Sequence, residues 1–241
     1  MSRRGRQYVA QVRTREPLSP HLVRLRLAGP GLAGFASSGI PDEWVGLVVP
    51  GQFQSRYYTV RRWDGAELLL DVVLHATGLV TEWAAGDCVG DEVTLSEPHG
   101  AFAPPADARW LILVGDLTAL PAMARIVETA GGLPVRVWAE APDALPGYLP
   151  PGADVTWLAP PGPGRSGLAD LVAGLEWPAA PGYFWMAGES GQMRAIRRHL
   201  RHDRGLPNAA YAAMGYWRAA PGRQPRAADP RPGASTDSLD R

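Results

Sequence analysis

Apolar and polar positions alternate with a period of two through roughly the first hundred residues, the pattern of strands with one buried face. Segments 8–14, 21–28, 44–49, 57–63, 67–75 and 91–97 carry it at short spacing. Pro50-Gly51 and Asp64-Gly65 punctuate the series, and an Asp-Gly pair between two β-rich runs is a strong hairpin signal. Six short strands separated by turns predict a small closed antiparallel β-barrel. One short helix, 79–85, is expected before the last strand.

The pattern changes at Arg109. Residues 110–114 (WLILV) form a continuous apolar run, as in a strand covered on both faces. A helical segment at 119–130 and a strand at 134–139 follow. Strand 154–158, helix 168–175, strand 183–187, helix 192–204 and strand 209–216 continue the alternation. This order predicts an open parallel α/β sheet with helices on both faces. Residues 219–241 are rich in Pro, Arg, Asp, Ser and Gly without periodicity and are expected to be a disordered tail. The chain thus divides into a barrel domain at 1–104, an α/β domain at 105–218 and the tail at 219–241.

Composition narrows the chemistry. The 241 residues are 46% hydrophobic and 20% charged, a globular balance. A formal net charge of zero leaves no basic excess to displace counterions from nucleic acid, so no nucleic-acid partner is expected. Cys88 is the single cysteine, which excludes an internal disulfide and a four-cysteine metal site; it is expected to be a small, semi-buried apolar residue. All 24 residues counted as Lys+Arg are arginines, which removes a P-loop lysine and a Schiff-base lysine. No apolar run approaches the roughly 18 residues of a membrane span, and none of signal-peptide length follows the basic N-terminus. A cytoplasmic protein without stable membrane association is the expectation. The five histidines are scattered, His199 and His202 on a solvated helix face, so no metal ligand set is expected.

Gly29-Pro30-Gly31-Leu32-Ala33-Gly34 matches G-x-G-x-x-G after a strand. The next seven residues, FASSGIP, cannot open the helix a dinucleotide fingerprint requires. A glycine-rich turn is expected instead.

The segment Arg56-Tyr57-Tyr58-Thr59-Val60-Arg61 carries an arginine, aromatics and a hydroxyl on one strand. Period two puts Arg56, Tyr58 and Val60 on one face and Tyr57, Thr59 and Arg61 on the other. It resembles the flavin-binding strand of the ferredoxin-reductase superfamily. A tyrosine ring can lie against an isoalloxazine, a threonine hydroxyl can bond a flavin ring atom, and an arginine can bond a pyrophosphate in a bidentate way. By itself the segment also fits an edge strand with a snorkelling arginine. At 75–84, a strand-end histidine precedes a glycine and a helix start suited to phosphate, with Thr81 in reach. Val114-Gly115-Asp116 leads into Thr118 and a helix bearing Pro121, and Gly188-Glu189 repeats a strand-to-helix turn. Ligands bind at the carboxyl ends of such strands.

The ordered set R-x-Y-T-x-R, H-x-x-G-x-x-T-x-W-A, V-G-D-x-T-A-L-P-A, W-x-A-G-E and G-Y-W-R resembles the siderophore-interacting protein family across residues 8–218. The resemblance implies FAD on the barrel and NADPH or NADH on the α/β domain. A ferric siderophore would be the partner, with its iron reduced to Fe(II) for intracellular use. Carried onto this chain, Arg56, Tyr57, Tyr58, Thr59, Val60, His75, Thr77, Gly78, Val80, Thr81 and Trp83 would contact FAD. Asp116, Thr118, Ala119, Gly188 and Glu189 would line the nicotinamide side, and Arg61, Trp217 and Arg218 would meet the substrate. No side chain would act as an acid, base or nucleophile.

The chain departs from the family pattern at Ala76, where a Gly often follows the histidine, and at Glu82, where many relatives carry Arg. Leu117 replaces a common Glu, and Glu97-Pro98-His99-Gly100 replaces a Gly-Pro pair. Two other functions remain open from sequence: a flavin reductase for a different acceptor, and a non-enzymatic siderophore-binding protein.

Overall fold

The computed structural model describes residues 5–75 and 78–219. The expected contact at Thr77, and the tail beyond Ala219, lie outside the described residues.

Six strands, β1 (Gln7–Ser19), β2 (Leu22–Ala28), β3 (Trp44–Val48), β4 (Arg56–Trp63), β5 (Glu67–Val73) and β6 (Glu92–Ser96), form the first half. They close into a barrel in the order β1-β2-β5-β4-β3-β6, with antiparallel pairing throughout. Alternate side chains point inward, and Leu25, Leu27, Val45, Leu47, Leu70 and Leu95 are fully buried. Each contributes about 1.5–3 kcal/mol of transfer free energy. The β4–β5 hairpin turns where the Asp-Gly pair predicts, with the Asp64 carboxylate accepting from the Ala66 and Glu67 N–H groups at 3.1 and 2.8 Å. Cys88 is buried in the barrel core. The short helix α1 (Leu79–Ala85) covers one end.

The second half alternates β7 (Leu111–Asp116), α2 (Leu120–Glu128), β8 (Val135–Glu140), β9 (Ala153–Leu158), α3 (Leu168–Gly174), β10 (Tyr183–Glu189), α4 (Ser190–Arg198) and β11 (Tyr211–Trp217). The strands form one parallel sheet ordered β11-β10-β7-β8-β9. Every residue of β7 is buried, as the WLILV run requires of a central strand. Gly115 is needed there by packing, since a Cβ would lie 2.5 Å from Ala119 Cβ and 2.8 Å from Ala187 O.

Several boundaries differ from expectation, among them those of β1, β5 and α4. β1 runs on to Ser19 because it keeps pairing with β2 through two register shifts, which hide the strand from a strict alternation test. β5 stops at Val73, so His75 stands beyond the strand. α4 ends at Arg198 and passes into a π-helical turn, His199–Asp203, that still buries Leu200. The glycine-rich segment after β2 makes only a single 3-10 turn, Pro30–Leu32.

Polar contacts join the two halves. Asp42, fully buried, accepts from Trp185 Nε1 at 2.8 Å and from the Ala101 and Phe102 N–H groups. Glu43, also fully buried, pairs with Arg125 of α2 at 3.1 Å. Tyr148 Oη donates to Asp71 of β5, which is also held bidentately by Arg24 at 2.7 Å. Among the described residues, no helix is long and apolar enough to cross a membrane.

Candidate cofactor and substrate cleft

A cleft of about 1020 Å³ runs between the barrel and the carboxyl edge of the sheet. That is the upper end of the range for ligand pockets, which is about 300–1,000 Å³. β4 supplies Arg56, Tyr57, Tyr58 and Thr59 to one wall. Tyr58 packs its ring against the barrel core, Thr59 is 5% exposed, and Tyr57 is 69% exposed. The start of α1 adds Gly78, Val80 and Thr81. Thr81 Oγ1 donates to Val73 O at 3.1 Å, and the His75 ring stands 3.3 Å from the same hydroxyl. From the sheet come Thr118 of the β7–α2 turn and the end of β11, Tyr216 and Trp217, followed by Arg218.

Six other expected residues, Val60, Trp83, Ala119, Asp116, Gly188 and Glu189, do not line the cleft. Val60 points into the barrel core, and its carbonyl accepts from Arg125. Trp83 packs on the same core and donates its indole N–H to Asp91 at 2.7 Å. Ala119 is fully buried among the helix–sheet contacts. Asp116 accepts from the Thr118 N–H at 2.9 Å and from Trp217 Nε1 at 2.6 Å. Glu189 caps α4 through the Gln192 N–H at 2.9 Å. Gly188 lies against Asp116: a Cβ there would be 2.6 Å from Asp116 Oδ2, and its φ of +157° suits glycine.

Arg61 does not reach the cleft expected of it. β4 is bulged between Val60 and Arg62, which breaks the period-two alternation at this residue. Arg61 pairs instead with Glu128 of α2 at 2.7 Å and lies over the Tyr148 ring.

Sequence reasoning passed over several lining residues: Trp44, Asp71, His99, Arg197, Met214 and Tyr216. Tyr216 sat unassigned inside the G-Y-W-R motif, the one available signal. His99 arrives through a backbone bridge to Trp44, 2.9 and 2.7 Å, that no local pattern announces.

The cleft is electropositive. Arg56, Arg197 and Arg218 line it and form no ion pair among the described residues. Asp71, the one lining carboxylate among the described residues, is paired with Arg24. Burial pushes the Tyr58 phenol up to about 12, with the Arg56 charge opposing. The Tyr216 hydroxyl is buried without a hydrogen bond of regular geometry; burial raises its pKa and the facing Thr59 hydroxyl opposes the shift. Burial also raises the Asp116 carboxyl, against the hydrogen bonds from Thr118 and Trp217.

Residues 108–220 match the siderophore-interacting protein family, and residues 51–102 match the siderophore-interacting FAD-binding domain. A protein of Mycobacterium tuberculosis described as uncharacterized is 33% identical over 250 residues, covering 83% of this chain and 86% of that protein. The NADPH-dependent ferric-chelate reductase of Escherichia coli is 27% identical over 233 residues, covering 85% of this chain and 90% of the reductase. The crystal structure of a siderophore utilization protein from T. fusca superposes with a TM-score of 0.76 at 29% identity, over 91% of this chain and 95% of that one. With both halves of the fold matched and the cleft lying between them, this chain belongs to the siderophore-interacting protein family.

Proposed function

We propose that this protein is an FAD-dependent reductase that takes electrons from NADH or NADPH and passes them to iron held in a ferric siderophore. The reading is carried by one arrangement: Tyr58 and Thr59 of the barrel and Thr118 and Trp217 of the sheet wall a single arginine-lined cleft. The family match and the likeness to a ferric-chelate reductase support it.

The residues present fit FAD. The Tyr216 and Thr59 hydroxyls, which face each other in the cleft wall, offer polar contacts to a ring with heteroatoms. Tyr57 and Tyr58 offer aromatic faces, and Arg56, exposed and in no ion pair among the described residues, can meet a phosphate. When bound, FAD converts a two-electron donation from a nicotinamide into single electrons for Fe(III). The chain's own part is to orient and to shield. Thr59 and Thr81, both buried, hold fixed hydroxyl positions. Arg197 and Arg218 favour an anionic chelate at the mouth. Iron is substrate here, released more readily as Fe(II) than as the harder Fe(III). Residues 1–104 are assigned to the flavin and 105–218 to the nicotinamide.

The test is anaerobic titration of the purified protein with NADH and NADPH, followed by ferric siderophore with a ferrous chelator present. Bleaching of a yellow protein, then recovery of its colour with ferrous complex formed, is expected. Siderophore binding without bleaching would leave a carrier, and bleaching without turnover of any ferric siderophore would point to another acceptor.

A further inference from the structure

Three side chains, from the last residues of β7 and β10 and the first of α4, hold the end of β11. Asp116, 7% exposed, accepts from Trp217 Nε1 at 2.6 Å across 101 residues of sequence. Ser190 Oγ donates to Trp217 O at 2.7 Å, and Glu189 Oε1 accepts from the Ala219 N–H at 3.3 Å. Gly188 leaves the space that Asp116 needs. Pairing of β10 with β11 slips here as well, from Gly188↔Gly215 to Glu189↔Trp217. In a regular strand Tyr216 and Trp217 would face opposite sides; with the bulge both line the cleft. Asp116 itself is not part of the lining, although Thr118 and Trp217, its two donors, both are.

We propose that Asp116 is a positioning residue for the reduction: it contacts neither cofactor nor substrate and acts by fixing the Trp217 indole as the sheet-side wall of the cleft. The role rests on the reductase reading above. A carboxyl group suits the task because one oxygen accepts from the single indole N–H and so holds the ring in its plane. A wall displaced by even about 1 Å misplaces a reacting group enough to cost up to about a hundredfold in rate.

The experiment is a double-mutant cycle on the holoenzyme with Asp116→Ala, Trp217→Phe and the double variant. Flavin content and kcat and KM for NAD(P)H are read for each. Both single variants are expected to retain flavin and to lose about tenfold to a hundredfold in kcat/KM. The double variant should be no worse than Trp217→Phe, because the effect of Asp116 runs through the ring that change has already released. Additive losses, or an unchanged kcat/KM in Asp116→Ala, would overturn the role and leave Asp116 as a cap for the Thr118 turn.

Should Asp116→Ala fail to fold, Asp116→Asn keeps an acceptor of weaker strength. The Trp217 indole N–H resonance, identified by its loss in Trp217→Phe, should then move upfield in Asp116→Asn together with a fall in kcat/KM. No movement of either refutes the proposal. Wild-type protein whose flavin is not reduced by NAD(P)H overturns the reductase reading and this role with it. Normal wild-type turnover with a failed cycle overturns the role alone.

Discussion

Asp42 and Trp185 lie 143 residues apart and meet through a 2.8 Å hydrogen bond from the indole to a fully buried carboxylate. The same carboxylate accepts two backbone N–H groups from the segment linking the barrel to the sheet. This side chain thereby ties the two walls of the cleft together, alongside the Glu43–Arg125 and Tyr148–Asp71 contacts. Asp42→Ala would strand three donors, at about 1–3 kcal/mol for each group left unsatisfied. A loss of at least about 3 kcal/mol in urea unfolding is expected; a loss below about 1 kcal/mol would show that the contact does not hold the halves.

Flavin retention tests the barrel wall. Arg56→Ala combined with Tyr58→Ala removes a guanidinium and one aromatic face of β4. The double variant is expected to elute colourless from gel filtration while its far-ultraviolet circular dichroism stays native. A full complement of flavin in that variant would refute the assignment of this strand.

Glu82 Oε1 accepts from the Gly78 N–H at 3.3 Å, so a carboxylate sits at the start of α1 beside the cleft. A phosphate using that N–H would meet like charge. Glu82→Gln removes the charge and keeps an acceptor, and flavin should bind about two- to fivefold more tightly, the scale of a charge at a helix end. Equilibrium dialysis of apoprotein measures it. Unchanged or weaker binding would place the phosphates elsewhere.

Alkaline pH should unfold the protein through its tyrosines. Burial pushes Tyr58 up to about 12 and raises Tyr148, Tyr183 and Tyr216 as well. A phenol whose folded value exceeds its unfolded value, about 10, keeps its proton preferentially in the folded state. Its contribution is complete below about pH 10 and is lost as pH rises through the folded value. Ionisation followed at 295 nm should therefore coincide with loss of circular dichroism between about pH 10 and 12. Phenols that all titrate near pH 10 in a still-folded protein would contradict these environments.

Local chemistry made much of the architecture readable. Alternation with period two, the Asp64-Gly65 turn and the WLILV run each report a single element, because burial of one face or of both is written in neighbouring residues. The motifs also named most of the barrel wall, since Arg56 to Thr59 are consecutive on one strand. Where alternation breaks, sequence reasoning broke too. The bulge after Val60 turned Arg61 toward Glu128, and the bulge near Tyr216 brought a second aromatic residue into the cleft.

The order of elements, the barrel, the parallel sheet and the family were determined by sequence alone, because each depends on periodicity or on residues a few positions apart. Which motif residues line the cleft was decided by tertiary structure. Asp116 and Glu189, expected on the nicotinamide side, also bond to Trp217 and Ala219, 101 and 30 residues along the chain, and Gly188 packs against Asp116. Such pairings depend on strand order, register shifts and the approach of the two halves, none of which is encoded in short-range pattern.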